Sequence, residues 1–81
     1  MIEVIVWDYF GDEGTGPRGE YISIWEPGQG QGWSLRIAET EAHADRDALL
    51  VDQQWPASMT LTEVQHRAEC AIAWLQELAT V

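Results

Sequence analysis

Glu41, His43, Asp45 and Asp47 alternate along the sequence and are the densest run of possible metal ligands in it. In extended backbone, alternate residues share one side, so the four donors would converge as a divalent cation needs. No glycine pins the loop around them as calcium loops require, so a solvated acidic segment without metal is expected. Glu63-x-x-His66 has the spacing of half a di-iron motif, but the second copy and the four-helix bundle are missing. His66 and Cys70 lie one helical turn apart, and two ligands do not make a zinc site. As a nucleophile Cys70 would need a lowered pKa, whereas an acidic surrounding raises it. A small core or half-buried role is expected for it.

Gly14-Thr15-Gly16-Pro17-Arg18-Gly19 fits the dinucleotide pattern G-x-G-x-x-G. That chemistry requires a helix N-terminus directly after the glycines, inside a parallel β-α-β unit, to hold the pyrophosphate. Here a strand-like run follows, and 81 residues are too few for the fold. The pattern is read as a loop. No cofactor and no catalytic group are expected.

The elements that would position these residues are short. Ile2 to Phe10 is β-branched and aromatic on both faces, as in an interior strand. Gly11 to Gly19 is rich in breakers and reads as a loop. Glu20 to Glu26 forms a second strand, Pro27 to Gly32 a tight glycine turn, and Trp33 to Ala38 a cleanly alternating third strand. Glu39 to Asp47 is an acidic loop. Ala48 to Asp52 is apolar but too short for periodicity to choose between an edge strand and a helical turn. Thr60-Leu61-Thr62-Glu63 is a capping box. Behind it Leu61, Val64, Ala68, Ala71, Ile72, Leu75 and Leu78 recur at helical spacing, so a helix is expected from about Leu61 to Ala79.

The expected fold is α+β: a three- or four-stranded antiparallel meander with one C-terminal helix packed on one face, residues 1–81 forming a single small acidic domain. One helix cannot cover both sides of a sheet. With Ile22 and Ile24 turned to the helix, Tyr21 and Trp25 point away. Taking Val4 and Val6 inward on the first strand puts Trp7 and Tyr9 on that same uncovered face. Trp33 belongs to the core and Trp55 plugs its end.

Charge supplies the functional reading. Fourteen acidic side chains face four arginines and no lysine, a formal net charge of −10. Residues 1–52 carry eleven of the carboxylates and three of the arginines, so the field is concentrated there. Such a field repels nucleic acid and anionic membranes and attracts basic protein surfaces. The 46% hydrophobic content and five tryptophans argue for a folded globule over an acidic disordered polypeptide. Cys70 is the one cysteine, Met1-Ile2-Glu3-Val4 lacks a basic signal-peptide region, and no run approaches the ~20 apolar residues of a membrane helix. A cytoplasmic protein is expected.

In size, charge and lack of catalytic motif, the protein resembles phage-encoded inhibitors of host defence, the anti-CRISPR and DNA-mimic proteins. No motif is diagnostic and no residue role carries over. The resemblance implies a non-catalytic inhibitor that binds a basic, nucleic-acid-handling protein and occupies its phosphate-binding groove. Asp12, Glu13, Glu20 and Glu26 around the first loop and hairpin, and Glu39, Glu41, Asp45 and Asp47 in the second acidic group, are the expected contacts. Trp7 and Trp25 are the aromatic anchors. Three alternatives stand beside it: an antitoxin-like or self-associating domain, with a homodimer burying the aromatic face; a small metal-binding protein or enzyme around Glu41, His43 and Asp45; and charge that serves only solubility.

Overall fold

Five strands and one helix succeed one another in a computed structural model that describes residues 5–28, 30–41 and 49–79. The strands are β1 (Val6–Trp7), β2 (Glu13–Thr15), β3 (Tyr21–Trp25), β4 (Trp33–Ala38) and β5 (Leu49–Trp55), and the helix is α1 (Leu61–Ala79). Each strand pairs antiparallel with its sequence neighbour, giving one meander in the order β1-β2-β3-β4-β5. The fold is therefore α+β as expected, with five strands where the sequence pattern predicts three or four.

The additional strand is β2. Its sequence, Glu13-Gly14-Thr15, lies inside the breaker-rich stretch that reads as a loop. Gly14 sits in the row Trp7–Gly14–Ile22–Ile37–Val51, which faces the helix. A methyl group there would come within 2.7 Å of Ile5 Cγ2 and 3.0 Å of Trp7 Cε3. Only a residue without Cβ lets the side chains of Ile5 and Trp7 fold over β2 into the core, so the glycine that looks like a breaker is a packing device.

Two further readings change. Of the expected first strand, Ile2–Val4 lie outside the described residues; among the described ones it covers Val6–Trp7 at the sheet edge, followed by a turn in which Asp8 Oδ1 accepts the Gly11 N–H at 2.8 Å. It is not an interior strand. The run beginning at Leu49 is a strand, and it extends to Trp55. A bulge shifts its register: Ile37 pairs with Val51 but Ala38 with Leu49, leaving Leu50 as the extra residue.

The core lies between α1 and one face of the sheet. Ile22, Leu35, Ile37, Val64 and Ile72 are fully enclosed, joined by Ile5, Ile24, Trp33, Val51 and Ala68. The helical stripe behaves as its spacing predicts over the first three turns. Leu61, Ala71 and Leu75 pack at its margins, but Leu78 is exposed. The capping box forms: the Glu63 amide donates to Thr60 Oγ1 at 3.2 Å, and the Thr60 amide donates back to Glu63 Oε1 at 3.0 Å. Trp33 is buried and its indole N–H donates to the Met59 carbonyl at 2.7 Å, tying β4 to the segment before the helix. No helix among the described residues is long and apolar enough to cross a membrane.

Candidate protein-binding face

Alternation along β2 to β5 assigns every side chain to the helix side or to the open side of the sheet. Three cross-strand rows make up the open face. Thr15, Tyr21, Ala38 and Leu49 form the first; Glu13, Ser23, Arg36 and Asp52 the second; Trp25, Ser34 and Gln54 the third. No described element covers these rows.

The acidic end of this face centres on Tyr21. Its hydroxyl donates to Glu13 Oε1 at 3.1 Å. Burial pushes the phenol pKa up, and the Glu13 hydrogen bond and the charges of Glu13, Glu41 and Asp12 push it the same way. Three of the expected contact residues, Asp12, Glu13 and Glu41, are thus brought together, although Glu41 is 28 positions from Glu13 in sequence. Asp8 joins Glu13 and Glu41 in lining a shallow groove with Val6, Trp7 and Tyr21.

The remaining expected residues are scattered. Glu20 is only 6% exposed and structural: its Oε1 accepts the Arg18 amide at 2.8 Å within the β2–β3 turn. It is removed from the acidic surface, because a glycine-rich turn leaves its amides to be satisfied by a neighbouring side chain. Glu26 follows β3 at the opposite end of the sheet, and Glu39 is exposed just after β4. Asp45 and Asp47, like His43, lie outside the described residues.

The two aromatic anchors part company. Trp25 is on the open face and 58% exposed. Trp7 faces the helix side, half-buried against the core, because it is Ile5 and Trp7 that turn inward while Val6, 66% exposed, turns out. The expected four-aromatic surface therefore reduces to Tyr21 and Trp25, with Tyr9 and Phe10 stacked edge-to-face in the exposed β1–β2 turn.

Asp52, Arg36 and Ser34 are on this face without having been expected there. The alternation Trp33-Ser34-Leu35-Arg36-Ile37 carries the signal for the last two, since core residues at odd positions force the even ones outward. Asp52 depends on the register of β5, which the bulge conceals.

The metal and thiol candidates find little support. Among the described residues no three His, Cys, Asp or Glu side chains gather in a way that would hold a metal ion. Cys70 is exposed, contrary to the core or half-buried role expected for it, with its sulfur 3.7 Å from His66 Nε2 on the outer face of α1. The G-x-G-x-x-G pattern spans β2 and its turn into β3, with no helix after it.

No protein-family model matches the sequence, no curated protein is detectably similar to it, and no solved structure matches it.

Proposed function

We propose that this protein is a non-catalytic acidic binding module that docks the Tyr21 end of its open sheet face onto a basic, nucleic-acid-handling protein, as a DNA mimic or anti-CRISPR-like phage inhibitor does. The observation that carries this reading is the gathering of Asp12, Glu13 and Glu41 around Tyr21 on a face that no described helix covers, with Trp25 exposed at the far end of the same strand. Glu13 on β2, with Asp12 just before it and Glu41 beyond β4, presents clustered negative charge of the kind an arginine- and lysine-lined groove recognises. Trp25 supplies the desolvated aromatic contact on which binding energy concentrates. The net charge of −10 steers approach and makes association salt-sensitive. The reading implies a cytoplasmic site of action.

The test is a pull-down from bacterial lysate at low and at high salt, with the parent protein and an Asp12→Asn, Glu13→Gln, Glu41→Gln variant. The expected result is a nucleic-acid-binding protein retained by the parent, released by salt or competing DNA, and lost from the variant. Retention of the same protein by the neutralised variant at high salt would overturn the mimic reading.

A second reading, self-association, is favoured by β5. It is the longest strand, it lies at the sheet edge, and its outer side pairs with nothing among the described residues. Sedimentation equilibrium distinguishes it: a concentration-dependent dimer supports it, and a monomer throughout excludes it.

A further inference from the structure

One guanidinium sits in the middle of this acidic face. Arg36 occupies the row Glu13–Ser23–Arg36–Asp52, yet no described carboxylate lies within ion-pair distance of it. It leans instead over Trp25, with Cζ 5.8 Å from the ring centroid. Its Nε is buried without a hydrogen-bond partner among the described residues, and so is Ser34 Oγ, two residues away on the same face of β4. Buried donors of this kind are costly to leave unpaired, most of all on a charged group. Arg36 and Ser34 line a cleft of about 430 Å³ together with Trp25, Gln31 and Gln54, and the two unpaired atoms lie just beneath its surface. A second hollow, of about 190 Å³, adjoins it across Trp25 and Arg36, with Ala38 and Leu49 in its floor.

We infer that this cleft is a binding site for a single carboxylate carried on an apolar body. Once the Arg36 side chain swings off Trp25 and uncovers these two atoms, a planar carboxylate matches the Nε–H edge of the guanidinium, and the Ser34 hydroxyl would donate to it alongside. Charge restricts the ligand class. One guanidinium can balance at most a monoanion, and Glu13 and Asp52 in the same row further disfavour the second charge of a phosphate dianion. Trp25 and Leu49 supply the apolar wall that an attached ring or side chain would cover. The inference goes beyond the docking reading and is independent of it, because it needs an anion where docking needs a cation.

The ¹H–¹⁵N resonances of Arg36 Nε–H and the Trp25 indole are followed while benzoate, or N-acetylphenylalanine as a mimic of a peptide's carboxyl end, is added to the intact protein. Their neutral amides serve as controls. The expected result is a saturable shift of the Arg36 Nε–H with an acid, with a dissociation constant on the order of 1–10 mM, and none with its amide. The tighter acid then shows whether a small free carboxylate or a peptide terminus is the better ligand. Arg36→Lys keeps the charge but lacks the Nε–H edge, and Ser34→Ala removes only the hydroxyl; each should weaken the Trp25 response at least several-fold. A shift equal for acid and amide, or absent at tens of millimolar, would overturn the site. Either outcome leaves the pull-down result to be judged separately.

Discussion

The Tyr21 hydroxyl donates to Glu13 across a single strand pair, so a neutral phenol is held in place by a charged partner at 3.1 Å. Ionising Tyr21 would replace that hydrogen bond with repulsion from Glu13, Glu41 and Asp12, in a site already partly withdrawn from water. In a Tyr9→Phe background, phenolate absorbance should therefore show Tyr21 titrating above the ordinary value of 10.0, and Glu13→Gln should bring it down. The stability consequence follows in sign. Above that ordinary value the unfolded polypeptide releases the proton while the folded one retains it. The contribution is whole below pH 10.0 and is lost as pH rises through the folded value. Alkaline urea titrations of parent and Tyr21→Phe check this, since the phenylalanine variant should lack this component of the decline.

Leu35 and Leu78 make a paired test of where the core ends. Leu35 is fully enclosed between sheet and helix, and Leu78 is 55% exposed on the last turn of α1. Leu35→Ala should cost about 2–5 kcal/mol, a large part of the stability of a domain this size. Leu78→Ala should fall within about 0.5 kcal/mol of the parent. Urea denaturation measures both.

Gln65 ties α1 to the turn after β1. Its side-chain amide donates to the Gly11 carbonyl at 2.8 Å. Gln65→Ala should lose about 1 kcal/mol. Amide exchange at Gly11 and Glu13 should quicken more than exchange in β4, because the break is local to the β1–β2 turn.

Much of the fold is legible in the sequence because the signals for β3, β4 and α1 are self-contained. β4 alternates over its whole length, and the helix carries its own cap and stripe. Legibility fails where a residue's conformation is set by something distant. Gly14 reads as a breaker until Ile5 and Trp7 are seen to need its missing Cβ. Trp7 reads as outward-facing because alternation fixes which residues share a side but not which side that is; the pairing of Trp7 with Gly14 decides it. The same limit applies to the candidate face. That Ser34 and Arg36 face away from the core follows from pattern, whereas the gathering of Glu41 with Glu13 around Tyr21 depends on strand register.

Gly14→Ala probes that dependence. The new methyl would press on Ile5 Cγ2, and overpacking of this kind costs about 1–3 kcal/mol. Ile5→Ala alone should be destabilising through a lost core side chain, but in the Gly14→Ala background its cost should shrink, since it removes the atom in conflict. A double-mutant cycle by urea denaturation reads the coupling, and strict additivity would contradict this account of β2.

The meander order has a consequence for how the protein comes into being. Every strand closes onto the one made just before it, so the sheet assembles through short loops and can begin forming early in synthesis. Its cover arrives last. Ile22, Leu35 and Ile37 stand open to solvent until α1 docks, and over that interval a nascent polypeptide presents an apolar slab with a free β5 border to its neighbours. The dense negative charge carried by residues 1–52 is already in place by then, and mutual repulsion between growing polypeptides guards that exposed intermediate before any partner is met.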